Sequence, residues 1–186
     1  MRRTWMARRG RLVGAVLAVV IAGAGLGLYW FQPWKLWQDV TVDEALPGTV
    51  RTSGMPRAEP SVTASGAAGP LTVAGGELVG HEHATSGRVR LIRLADGSHV
   101  VRLENLDTSN GPDLRVWLTD APVREGRAGW YVFDDGEHVS LGRLKGNKGS
   151  QNYPVPAGVD LSRYTSLSIW CDRFDVSFGA AELVGV

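Results

Sequence analysis

From about Gly76 onward the chain is a series of short apolar runs broken by Gly, Asp and Asn. Val101 and Leu103 alternate with Arg102 and Glu104, and Leu114, Val116 and Leu118 alternate with Arg115, Trp117 and Thr119. Alternation with period two marks a strand with one buried face. Residues 88–94 and 99–106 flank Asp96-Gly97, and residues 130–133 and 138–141 flank Asp135-Gly136. Asp-Gly between such runs predicts tight hairpins. Two further strands, 165–171 and 174–184, close the chain, and one helical turn is expected near 160–164. Short strands at this spacing predict an all-β domain over 76–186, an antiparallel β-sandwich or barrel. In the strand 165–171, Leu167, Ile169 and Cys171 share the aliphatic face, which points inward. Trp170 then lies on the outer face, under a loop. Phe174, Val176 and Phe178 form the inner face of the last strand.

The N-terminus has a different pattern. Residues 12–31 carry no charge, and as a helix they span about 30 Å, the thickness of a bilayer's hydrocarbon core. Arg2, Arg3, Arg8, Arg9 and Arg11 precede this run; Tyr29, Trp30, Phe31, Trp34 and Trp37 end and follow it. Basic residues stay inside and aromatic rings favour the interface. The segment therefore reads as a transmembrane signal anchor of a single-pass plasma-membrane protein. Residues 1–11 are its cytoplasmic basic tail, and the C-terminal bulk is extracytoplasmic. The bulky Tyr29-Trp30-Phe31 follows Ala22-Gly23-Ala24, which argues against cleavage. Gly23 and Gly27 have the spacing of a helix-pairing motif, though glycine is common in membrane helices anyway. Residues 32–75 contain Pro47, Pro56, Pro60 and Pro70 and few large apolar side chains. They read as a juxtamembrane segment and flexible stalk, with 40–45 ordered near the membrane.

Charge narrows the partners. The chain has 20 Lys and Arg against 19 Asp and Glu; without the five tail arginines, 15 basic residues face those 19, a net charge of about −4. That excludes the basic face of a nucleic-acid binder. The expected partners are the bilayer, through residues 12–31, and an envelope protein or redox partner.

Cys171 is the only cysteine. Outside the cytoplasm thiols normally pair, and this one has no internal mate. It is a buried inert thiol, a redox thiol, a metal ligand, or half of an intermolecular disulfide. Inward parity favours packing; Arg173, two residues on, with His83 and Lys145, are the candidates for lowering its pKa. His81 and His83, two apart on a strand, share a side and with Cys171 make a His₂Cys set. The His and Met that normally follow a blue-copper cysteine are missing, and His81 and His99 otherwise read as exposed. No C-x-x-C-H haem attachment is present. No cofactor is evident, and a metal or haem held in another way stays open. Cys171, His83 and Asn110 or Asn152 supply the residue types of a Cys-His hydrolase without its local signature. Asn110-Gly111-Pro112-Asp113 and Gln151-Asn152-Tyr153 are either turns or the lining of a small polar pocket. Residues 145–149, Lys-Gly-Asn-Lys-Gly, read as a mobile hairpin loop.

Several stretches together resemble the DM13 domain: His83 with Ser86-Gly87, 108–113, 141–147, 151–156, and above all Trp170-Cys171-Asp172-Arg173-Phe174. The resemblance implies a β-rich extracellular module and a redox or electron-transfer role centred on Cys171. In animal relatives the domain accompanies DOMON domains, linked to haem or sugar binding, and none is found here. The expectation is a membrane-tethered redox accessory module, not a stand-alone enzyme, with Cys171 as its working group. The alternative is a binding β-sandwich in which Cys171 packs, and His83, Asn110, Asp113, Lys145, Gln151, Asn152 and Trp170 form the site.

Overall fold

The computed structural model describes residues 2–48 and 69–186. Helix α1, Arg2–Phe31, is continuous. From Leu12 its large apolar side chains are exposed on every side. Among the described residues, one helical stretch, Leu12–Lys35, is long and apolar enough to cross a membrane. The α-helix stops where Gln32 takes a left-handed φ of 45° and Pro33 follows. A 3-10 turn, Pro33–Trp37, turns the chain onto the β domain.

The strands are β1 Thr41–Asp43, β2 Leu71–Glu77, β3 Val79–Gly80, β4 Ser86–Arg93, β5 His99–Asp107 and β6 Leu114–Thr119. They continue with β7 His138–Arg143, β8 Lys148–Pro154, β9 Ser166–Cys171, β10 Val176–Glu182 and β11 Val184–Gly185. They build a six-stranded sheet, β1-β8-β5-β4-β2-β11, and a five-stranded sheet, β3-β10-β9-β6-β7. All neighbours are antiparallel except β1 with β8. This is the expected β-sandwich. Val89, Val101 and Leu103 from the first sheet meet Val116, Leu167, Ile169 and Phe178 from the second in the main core. Trp117, Phe133, Trp170 and Ala180 form a second cluster on the other face of the five-stranded sheet.

The Asp96-Gly97 hairpin is present, with Gly97 at φ 83°. The helical turn near 160 is also present, as a 3-10 turn at Leu161–Arg163 capped by Asp160. The second hairpin is not: residues 130–133 form no strand. Val132 and Phe133 instead close over the outer face, where Phe133 is fully buried beside Trp170 and Trp117, while Trp130 packs against the main core and Tyr131 is exposed. An apolar run of four does not distinguish a strand from a loop that covers a sheet. Phe174 also departs from expectation. It lies in the turn between β9 and β10, 38% exposed, while Val176 and Phe178 do face the core.

The stretch read as a stalk contains two strands of the six-stranded sheet, β1 and β2. The Pro-rich residues 49–68, which lie outside the described residues, thus connect two strands of one sheet. The ends of this excursion meet: a Cβ on Gly48 would come 2.8 Å from Pro70 Cγ. The link between helix and β domain is only residues 32–40, and it is fastened to the domain.

Candidate functional site

Cys171 ends β9 with no exposed surface, between Leu114 on one side and Val176 on the other. Burial pushes its thiol pKa up. The nearby backbone amides of Arg173, Phe174 and Asp113 act in the opposite direction, the Phe174 amide while donating to the Cys171 carbonyl at 3.2 Å, and the Asp113 carboxylate adds to the rise. The resting form is therefore the neutral thiol. Two turns supply those amides: 172–175 after β9, and 110–113 before β6. They are tied together by Asp172 N donating to Asp113 O at 2.9 Å.

The same two turns wall a cavity of about 470 Å³ between the end of the apolar helix and the β domain. Phe31 and Pro33 come from the helix side; Pro112, Phe174, Val176 and Phe178 come from the domain. Trp130 and Tyr131 complete the aromatic lining, and the polar groups at the wall are Gln32, Lys35, Glu82, His83 and Asn110. His83 lies over Phe178, ring centroids 4.0 Å apart, and its Nε2 pairs with the Glu82 carboxylate. Phe31 stacks on Phe174 at 5.7 Å. Arg173 donates to the carbonyls of Tyr29 at 3.3 Å and Trp30 at 2.7 Å, which α1 leaves open at its C-terminus. Its guanidinium also lies over the Trp30 ring. The turn that follows Cys171 thus holds the helix end.

Most of the polar candidates do different work. Asn147, 1% exposed, donates to Asp39 Oδ1 and to Thr108 O, and accepts from Val40 N. Asn152 donates to Ala45 O, accepts from Arg102, and takes Glu44 Oε2 on its amide. Lys145 donates to Glu44 and to Asn152 O, each at 2.7 Å, and is not a charge partner of Cys171. Buried Gln151 bonds the Lys145 and Gly146 amides, Gly146 O and the Tyr153 hydroxyl. Asn110 donates to Gln38 O, and Lys35 reaches Gly111 O and Pro112 O at 3.4 Å. Together these groups strap residues 35–45 to the domain. Gly146 and Gly149 allow the approach: a Cβ would lie 2.4 Å from Val40 O at the first and 2.3 Å from Val42 O at the second. The loop read as mobile is a seat for β1.

Asp113 carries ion pairs with Arg115 and Arg143, both at 3.4 Å, and its carbonyl accepts from Asp172 N beside the thiol. Trp170 lies on the far face, 1% exposed, its ring 5.1 Å from Trp117, away from Cys171's side of β9. That agrees with its parity, but it is a packing residue under the 120–137 segment. The histidines separate. His81, read as exposed, is 9% exposed and bonds Ser177 Oγ at 2.8 Å and Arg124 O at 3.0 Å. It stacks on Phe133, while His83 faces Phe178. The irregular segment after β3 twists the two to different sides, and among the described residues no three His, Cys, Asp or Glu side chains group as metal ligands. No hydrogen bond or ion pair joins Cys171 to His83, and the two do not form a catalytic pair.

Sequence reasoning missed the strap and the cavity, including Lys35, Glu82, Trp130, Tyr131 and Asn147. The available signal was the density of aromatics between Tyr29 and Trp37, which continues past the hydrophobic run. In comparison with known proteins, residues 77–183 match the family model described as "Electron transfer DM13", more than half of the chain. No curated protein and no solved structure matches. The chain belongs to the DM13 family.

Proposed function

We propose that this DM13 chain is a redox accessory module tethered to the plasma membrane by residues 12–31. The arginine-rich tail is cytoplasmic and the β-sandwich lies at the extracytoplasmic surface. Cys171 is its redox group, screened at rest behind the cavity at the helix end. The family's electron-transfer description supports a redox-associated role. The observation that carries the finer reading is the place of Cys171: it lies beside the two turns, 110–113 and 172–175, that are tied together by Asp172 N and Asp113 O and wall the cavity. Loosening the Phe174 turn admits a reactant and water to the thiol, which removes the burial that disfavours its thiolate. One cysteine cannot run an internal dithiol cycle, so the module works with an external partner. In thiol–disulfide exchange, Cys171 attacks a small disulfide RSSR, forms Cys171–S–S–R and releases RSH.

The test is acid-quenched alkylation of the full chain in its own membranes, read by intact mass. The expected result is a fraction of Cys171 blocked as a mixed disulfide, recovered by dithiothreitol and enlarged by added glutathione disulfide. A thiol that is always free, alkylated only after unfolding, refutes the redox role. Complete burial and the raised pKa favour a second reading in that event: Cys171 packs, and the cavity alone is the binding site.

A further inference from the structure

We propose that the cavity at the helix end binds the ring of a membrane-soluble quinone. This rests on the membrane-tethered reading above and names, by chemical class, the ligand of the cavity beside its thiol. Three observations carry it. The first is position. Phe31 and Pro33, at the end of the run that spans the hydrocarbon, form one wall, so a ligand dissolved in the bilayer reaches the cavity without crossing water. The second is shape and lining. About 470 Å³ falls in the range of small-molecule sites. The rings of Phe31, Tyr131 and Phe174 are 61%, 52% and 38% exposed, large faces with room for a flat aromatic partner.

The third is the polar set. His83 is held at Nε2 by Glu82, and its Nδ1 has no hydrogen-bond partner among the described residues. With its Nε2–H given to Glu82, the neutral ring accepts at Nδ1 from a quinol hydroxyl, and the imidazolium form, held by the Glu82 carboxylate, donates Nδ1–H to a quinone carbonyl oxygen. A phospholipid headgroup fits less well. Its phosphate needs free cationic donors, whereas Lys35 here is committed to two backbone carbonyls and Glu82 is negative. A bare acyl chain would make no use of the His83–Glu82 pair.

The experiment uses the full chain in phosphatidylcholine nanodiscs with menaquinone-2 as the probe. Protein-bearing discs are separated, extracted and assayed for quinone against empty discs. Saturable one-to-one binding above partitioning is expected. His83→Ala should weaken it about tenfold, the effect of losing one well-placed hydrogen bond. Tyr131→Ala should weaken it several-fold, and His99→Ala, on β5, not at all. Thermal melts identify a variant that misfolds, in which case His83→Gln carries the test. Binding no greater than in empty discs, equal binding by folded His83→Ala, or displacement by phosphatidylglycerol overturns the proposal. If quinone fails to bind while Cys171 still forms its mixed disulfide, only this inference falls. Loss of the mixed disulfide with quinone binding intact removes the thiol role instead.

Discussion

Asn147→Ala tests whether the segment after the helix is strapped to the β domain. The side chain is 1% exposed and makes three hydrogen bonds: to Asp39 Oδ1, to Thr108 O, and from Val40 N. Alanine leaves Thr108 O buried without that donor and releases Val40 N. A buried group left unsatisfied costs about 1–3 kcal/mol and an ordinary bond about 1 kcal/mol. The sum is about 2–4 kcal/mol, a melting-temperature loss of roughly 8–15 °C for a domain of this size. Asp39 is exposed, so its carboxylate turns to water, and Asp39→Asn should shift the melt by under about 2 °C. Hydrogen exchange gives the local readout: the Val40 amide, protected in the native chain, should exchange much faster in Asn147→Ala. A melt within about 2 °C of native, with Val40 protection unchanged, would refute the strap.

Other consequences follow from the same geometry. Gly149→Ala places a Cβ 2.3 Å from Val42 O at φ 92° and should free β1 to exchange, whereas Gly97→Ala, at φ 83° in open space, costs only about 1 kcal/mol. A protected β1 in Gly149→Ala contradicts this. Trp170→Ala should cost about 3–5 kcal/mol and remove the near-ultraviolet signal of its stack on Trp117; a loss under about 1 kcal/mol by urea melt counts against the second core. Burial lowers the pKa of His81. Below about pH 6.5 the unfolded chain then binds a proton that the folded chain does not, so stability falls as pH drops from 7.5 to 5.5. His81→Gln should flatten that fall, and an unchanged slope in urea melts refutes the assignment.

The sandwich was legible because its strands alternate cleanly. Parity alone placed Leu167, Ile169 and Cys171 inward and Trp170 on the outer face. The sequence misled where a residue type has two uses. Phe133 reads as a strand residue because it is apolar, yet it covers a sheet face as loop. Asn147, Gln151 and Asn152 read as loop or site polars, yet they hold backbone, since buried amides satisfy a passing chain as readily as a ligand. The strap was invisible for a further reason. Val40 and Asn147 are far apart in sequence, and only the parallel pairing of β1 with β8 brings them together. The cavity depends on a docking of helix end against domain that no local pattern encodes.

The most direct test of the screened redox thiol is the urea dependence of Cys171 labelling by a small maleimide in the full chain. If the Phe174 turn opens locally, labelling below the unfolding transition is slow, nearly independent of urea, and faster in Phe174→Ala. If the sulfur is reached only by global unfolding, the labelling rate climbs with urea at the full slope of the unfolding transition, and Phe174→Ala changes it only in step with stability. The first result is the one predicted here; the second contradicts it.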